Sequence, residues 1–577
     1  MKKICILLVL CLLLVGCSPA TTADGSTPSQ STGDTLQSSV ETTLSDTHTP
    51  GTDNTDGTQG TGDSPQTSSP TTQQQGQTAN PSIDPTTAPN PSVPQGNSSC
   101  KSHVDAGNDG KCDTCGVSTL VIIDFYNIND LHGKIADADT HPGVDELTTY
   151  LKKAKKTDDH VVLLSTGDMW QGSSESNLTQ GLLTTDWMNQ LDFAAMAMGN
   201  HEFDWGEAPV EKNDDLAEFP FLAINIYDRA TNRQVSYCKS SVMVDKGGVQ
   251  IGIIGAIGDC YSSISKDKVQ DIYFKVDNDL TQLVKKESTK LRSQGADYIV
   301  YLLHDGYGES KSATATSIRS SDIDHYYDTD LSNGYVDLVF EGHSHQRYIL
   351  KDEYGVYHLQ NKGDNKGISH VEVSINTAND TTKVRNAELI TTGVYANMAD
   401  DPIVEELLDK YKEDVSVGTD VLGKNARSRS SKELAQLVAD LYYKKGMELW
   451  GDEYDIVLGG GFMSVRSPYN LDAGDITYGM LYSLFPFDND LVLCSIKGSD
   501  LKNRFFETDN DRYYLSYGEY GKQVKKNIDP NKTYYIVVDS YSSVYAPNRL
   551  TEIARYEEKY YARDMLADYA KSGGFQK

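Results

Sequence analysis

Five times between Leu120 and His345 a short apolar, β-branched run stops abruptly at His, Asp or Asn. Leu120 to Tyr126 leads into Asp130 and His132, Val161 to Leu164 into Gly167-Asp168, and Phe193 to Met198 into Gly199-Asn200-His201. Tyr298 to Leu303 ends at His304, and Val336 to Phe340 at Gly342-His343-Ser344-His345. Runs of this length bounded by turn residues read as buried strands. In α/β sheets the carboxyl ends of strands are where ligands gather. One Asp or His after a strand is an ordinary turn residue or helix cap, whereas five such endings predict a shared site. Their types narrow the chemistry: divalent cations take imidazole nitrogen and carboxylate oxygen, and one bridging carboxylate holds two of them about 3.5–4 Å apart.

As motifs, Asn129-Asp130-Leu131-His132-Gly133, Gly167-Asp168-Met169-Trp170-Gln171-Gly172, Gly199-Asn200-His201-Glu202-Phe203-Asp204-Trp205-Gly206, His304-Asp305-Gly306 and Gly342-His343-Ser344-His345 resemble the five signature blocks of calcineurin-like metallophosphoesterases. Within them, GNHEFDWG resembles the bacterial 5′-nucleotidase and UDP-sugar hydrolase family, over roughly Leu120 to Asn376. The resemblance implies an α/β architecture: a four-layer αββα metallophosphoesterase domain of two packed mixed sheets flanked by helices, then a C-terminal α/β substrate-binding domain. It also implies that Asp130, His132 and His345 hold one metal, that Asn200, His304 and His343 hold the other, and that Asp168 bridges them. Two divalent ions such as Zn, Mn or Co would lower the pKa of a coordinated water and stabilise the phosphoryl oxygens. His201, oriented by Asp204, would stabilise charge on the transferring group or leaving oxygen. From spacing alone the alternative reading of Asp204 is a helix N-cap.

Ile403, Leu407, Leu408 and Tyr411 recur at near-helical spacing and predict a linking helix from Pro402 to Val415. It sits in a linker at 396–420, between a catalytic domain at 119–395 and a C-terminal domain at 421–577. In the resembled family a Gly-rich strand end followed by Arg contacts substrate, and here Gly459-Gly460-Gly461 is separated from Arg466 by Phe462 to Val465. Phe487, after Pro486, and Tyr541 stand where the family sandwiches a base between two rings, worth about 1–3 kcal/mol each; Phe487 reads equally as core. The stretch Ser542 to Arg549 replaces the family's GGD turn, and Gln436 its asparagine, so the selectivity residues depart from the pattern. The implied activity is release of phosphate from extracellular nucleotides, of the 5′-nucleotidase or UDP-sugar hydrolase type. A 2′,3′-cyclic-nucleotide phosphodiesterase would use the same chemistry. A non-catalytic surface-binding protein on a phosphatase scaffold would be expected to have lost ligands, and none is lost.

Ahead of these domains, Lys2 and Lys3 precede an apolar run from Ile4 to Val15, the pattern of an export signal at 1–16. Leu14-Val15-Gly16-Cys17 resembles the lipidation box of bacterial lipoproteins, with Cys17 as the lipidated residue, so a cell-surface location and a membrane tether are expected. Ser18 to Asn97 holds no aromatic residue, Lys or Arg, and such a segment reads as a disordered spacer, placed at 17–97. A small Cys/His unit follows at 98–118: Cys100, His103, Cys112 and Cys115 have zinc-knuckle spacing, with a disulfide as the alternative. Asp105, Asp109 and Asp113 suggest a calcium loop, but Gly107 and Gly116 stand where carboxylates are wanted. The net charge of −31 argues against nucleic acid as a partner, and a monomer acting on a small nucleotide is expected.

Overall fold

The computed structural model describes residues 100, 102–137, 142–306, 327–507, 513–545 and 550–577. The expected export signal, Cys17 and the expected spacer at 17–97 fall outside them.

Alternation of side chains along the strands sets the layering of the catalytic domain. In the Leu120–Ile128 strand, Ile123 and Phe125 face an inner core while Tyr126 and Ile128 face outward. Its neighbour Val161–Ser165 repeats this, with Val162 and Leu164 inside and Val161 and Leu163 outside. The first sheet runs Thr381–Thr391, Gly367–Asn376, Leu120–Ile128, Val161–Ser165, Ala195–Ala197, Phe221–Leu222. The last four are parallel and the first two antiparallel. The second sheet runs Tyr348–Lys351, Tyr357–Gln360, Leu338–Glu341, Tyr298–His304, Val249–Ile257, Ser241–Lys246, with the four central strands parallel. Ile251, Ile253, Val300, Leu302 and Phe340 meet the first sheet's inner face in one continuous apolar core.

Each outer face is closed by helices. Leu147 and Leu151 of the Asp145–Thr157 helix and Leu183 and Trp187 of the Leu182–Asn189 helix cover the first sheet. Leu280, Val284 and Leu291 of the Asp277–Ser293 helix cover the second. Helix, two sheets and helix make the four expected layers. Parallel strands within each sheet send several carboxyl ends to one edge, which is what gathers the site.

The expected single linking helix is instead two pieces, Pro402–Lys410 and Lys412–Val415. The break falls at Tyr411, whose ring is drawn into the outer core and whose hydroxyl lies 3.3 Å from Asp186 Oδ2. Val404 and Leu407 are buried in the same core, so the linker packs on the catalytic domain. The C-terminal sheet runs Tyr513–Ser516, Ile456–Phe462, Thr533–Asp539, Leu491–Lys497, Leu550–Arg555. The Ser431–Trp450 helix lies on it through Leu434, Val438 and Tyr442. Its start is fixed by a reciprocal capping box between Ser430 and Glu433. Among the described residues no helix is long and apolar enough to cross a membrane.

Candidate active site

Asp130, His132, Asp168, His343 and His345 all sit in left-handed backbone, with φ of 52°, 52°, 53°, 67° and 52°. An L-residue pays roughly 1–2 kcal/mol for that conformation, so the strand ends are strained to turn these side chains toward one centre. Gly199 lets two strand ends close on each other: a Cβ there would lie 2.3 Å from Asp168 Oδ1.

The expected ligands converge in two adjoining halves. In one, His132 Nε2 lies 3.1 Å from His345 Nε2, which lies 3.2 Å from Asp130 Oδ1. In the other, Asn200 Oδ1 lies 2.9 Å from His343 Nδ1 and 3.2 Å from His304 Nε2, and the latter lies 3.2 Å from Asp168 Oδ2. Ligand atoms of Asp130, Asp168 and His304 also lie within 4.8 Å of one another, joining the halves. Ligands about 2.1 Å from a central ion are separated by about 3.0–3.4 Å, so these spacings fit side chains able to share an ion. The Gln171 carbonyl lies 2.7 Å from His132 Nδ1, and the Thr166 carbonyl meets His304 Nδ1, which puts the ring proton on Nδ1 and turns each Nε2 lone pair inward.

Protonation divides the ligands: His132 and His343 are held neutral, whereas the Asp168 carboxylate outweighs burial and raises His304 to about 10, and Asp130 likewise raises His345. Burial pushes His132 down to about 3 and His343 down to about 4, leaving neutral imidazoles. Burial would raise Asp130, but the charge of His345 outweighs it and holds the carboxyl down to about 2. Asp168 is held well below the carboxylate range against burial, first by His304. Nitrogen and carboxylate oxygen in this proportion fit two borderline divalent ions.

His201 and Asp204 stand beside the cluster on the short turn His201–Phe203. His201 Nδ1 lies 2.7 Å from Asp204 Oδ2, and the His201 backbone N–H donates to Asp168 Oδ1 at 2.8 Å. Asp204 is not a helix N-cap: the next helix, Glu207–Leu216, begins after Gly206 with no side-chain cap. Two further residues that sequence pattern does not single out carry the site. Glu202, fully buried, accepts the backbone N–H groups of Asp168, Met169 and Gly199 at 2.9, 2.7 and 2.8 Å, fixing two ligand loops together. Its place inside the Gly199 to Gly206 block was the available signal. Cys260 brings Sγ within 4.8 Å of ligand nitrogens of His304 and His343, and donates to the His304 carbonyl at 2.9 Å. Burial pushes its thiol well above the ordinary range, so it stays protonated. Nothing in the sequence near Cys260 marks it.

A cavity of about 320 Å³ opens from the cluster toward the C-terminal domain. Asn200, His201, Asp204 and His343 line one side, and Phe462, Arg466, Phe487, Asp539 and Tyr541 the other. The Phe487 ring lies 6.1 Å from that of His201, nearly parallel to it, and Tyr541 leans on Phe462 at 5.9 Å. Arg466 sits with Cζ 6.0 Å from the Phe487 ring, and its charge comes second to burial in depressing His132. Its displacement along the chain therefore does not keep it from the cluster. Gln436 is exposed and bonds the Leu515 carbonyl at 3.1 Å, and it does not line this cavity. Asp539, which no motif marks, is buried against the cavity and pushed up to about 6 by that burial. Cys100, His103, Cys112 and Cys115 come together at the opposite end of the Leu120–Ile128 strand.

Comparison with known proteins follows the same division. Residues 124–347 match the calcineurin-like phosphoesterase family, and residues 415–522 match the 5′-nucleotidase C-terminal domain. The chain is 27% identical over 472 residues to protein UshA of Yersinia enterocolitica serotype O:8 / biotype 1B, covering 72% of this chain and 82% of that one. It is 25% identical over 452 residues to a 5′-nucleotidase of Diplobatis ommata, covering 70% and 74%. The crystal structure of a 5′-nucleotidase precursor from Thermus thermophilus shares the fold, with a TM-score of 0.60 at 20% identity over 78% of this chain and 96% of that one.

Proposed function

The chain belongs to the 5′-nucleotidase family, a calcineurin-like phosphoesterase domain joined to a 5′-nucleotidase C-terminal domain, and from that premise we propose that this metal-dependent phosphoesterase releases phosphate from nucleotides. One observation carries the reading: a single cavity has Asn200 and His343 of the ligand cluster, with His201, on one wall and aromatic rings with an arginine on the other. At about 320 Å³ it is within the range of small-ligand pockets, about 300–1,000 Å³.

When bound, the two divalent ions supply a water of lowered pKa and positive charge against the phosphoryl oxygens. Asp130, His132 and His345 would hold one, Asn200, His304 and His343 the other, and Asp168 would be shared between them. His201 donates from Nε2 to the transferring group while Asp204 fixes its ring through Nδ1. Arg466 pairs with phosphate oxygens through its planar fork. Phe487 and Tyr541 flank the base, with Phe462 supporting Tyr541.

Phosphate release from AMP and UDP-glucose with added manganese, set beside a 2′,3′-cyclic nucleotide, tests the proposal. Turnover of a linear ester is expected. No hydrolysis of any phosphoester would remove the reading, and cleavage of cyclic esters alone would make the protein a phosphodiesterase.

Export and anchoring through Cys17 belong to the same proposal, supported by Leu14-Val15-Gly16-Cys17 after the apolar run. A Cys17→Ser chain is expected to leave the membrane fraction of cells. Unchanged fractionation would overturn the anchor.

A further inference from the structure

We propose that Cys100, His103, Cys112 and Cys115 hold one zinc ion, and that this ion clamps the base of the catalytic domain at the end of the sheet opposite the dimetal cluster. The four ligand atoms lie within 4.8 Å of one another. Cys100 Sγ is 3.6 Å from Cys112 Sγ, and Cys115 Sγ is 3.4 Å from His103 Nδ1. Four ligands around zinc, with Zn–S near 2.3 Å and Zn–N near 2.0 Å, are separated by about 3.4–3.8 Å. A disulfide needs its sulfurs at about 2.05 Å, and all three thiols are free.

The loop between the ligands is shaped to dock rather than to bind calcium. Asp105 is 2% exposed, and its carboxylate is consumed by acceptor bonds: Asp109 N at 3.0 Å, Gly110 N at 2.8 Å and Asn376 Nδ2 at 2.8 Å. Two further contacts tie the unit down. Thr119 N donates to the Gly110 carbonyl at 2.9 Å, and Asn379 Nδ2 donates to the Asp105 carbonyl at 3.3 Å. The unit thus grips both the start of the Leu120–Ile128 strand and the turn between Asn376 and Thr381. With a rise of about 3.3 Å per residue, that strand sets the zinc site roughly 30 Å from the catalytic ions. So small a unit has no core of its own among the described residues beyond Cys112, and a metal is the usual substitute for one.

The test uses the full chain loaded with cobalt in place of zinc. A thiolate-to-cobalt charge-transfer band in the near ultraviolet is expected in the wild type and in Cys260→Ser, and its loss in Cys112→Ser. In Cys112→Ser, turnover of a generic phosphomonoester should stay at the wild-type level, while amide exchange at 105–119 and 376–381 quickens by about tenfold or more. Should that variant fold poorly, the wild type still decides: a mercurial that blocks thiols should release one zinc while phosphoesterase activity survives. Absence of the charge-transfer band, or a disulfide among Cys100, Cys112 and Cys115 in the unreduced protein, would overturn the proposal.

Discussion

Asp168 joins the two halves of the ligand cluster, with Oδ2 3.2 Å from His304 Nε2 and a carboxylate oxygen within 4.8 Å of one of Asp130. Asp168→Asn removes the shared charge and is expected to lower kcat/KM by roughly a thousandfold or more; a near-normal rate would refute bridging. His201→Ala should keep its metal and lose about 10²–10⁴ in kcat, and loss of metal on elemental analysis would make His201 a ligand instead. The ligands were legible because each lies within a few residues of a strand end, where local pattern and function coincide. Glu202 and Cys260 were not. Their importance lies in what they meet across 33 or more residues of chain, the Asp168 loop for one and His304 for the other. Periodicity says nothing about such meetings. Arg466 shows the converse: its place in the sequence is displaced, and the fold still brings it to the cavity.

Strands and helices show where pattern suffices. Leu120–Ile128 and Tyr298–His304 are readable as buried runs, whereas apolar spacing predicts one helix for the linker because it ignores the pull of the outer core on Tyr411. In the Tyr357–Gln360 strand, fully buried His358 lies between Glu341 at 2.9 Å and Asp352 at 3.4 Å. Burial would lower its pKa, but the two carboxylates outweigh that and raise it from 6.5 to about 9. The folded value exceeds the unfolded one, so the stabilisation is complete below pH 6.5 and is lost as pH rises through about 9. The unfolding temperature of the wild type is therefore expected to fall more steeply across that window than that of His358→Gln, which starts about 3 kcal/mol less stable. Parallel curves for the two proteins would count against the charged triad.

For the molecule as a whole, the cavity depends on how the C-terminal domain rests on the catalytic one. Gly479, at the start of the Tyr478–Leu484 helix, approaches the Ser174–Thr179 helix so closely that a Cβ would lie 2.9 Å from Ser174 Oγ and 2.8 Å from the Gly418 carbonyl. Gly479→Leu should lift this contact and raise KM about tenfold, since overpacking costs about 1–3 kcal/mol. Metal content should not change; a changed metal content with KM intact would place the effect in the cluster. The two-domain division was visible in the sequence, but the fit between domains was not, because it rests on absent side chains as much as on present ones.

The left-handed backbone at Asp130, His132, Asp168, His343 and His345 reaches beyond catalysis. Together these conformations cost several kcal/mol, against a typical domain stability of about 5–15 kcal/mol. Cation binding offsets that cost, so a chelator should lower the unfolding temperature by several degrees and manganese should restore it. An unchanged melting curve would separate loading from stability. Where divalent ions run short, the protein would then be thinned by proteolysis as well as idled, and the local mineral supply would govern how many copies persist.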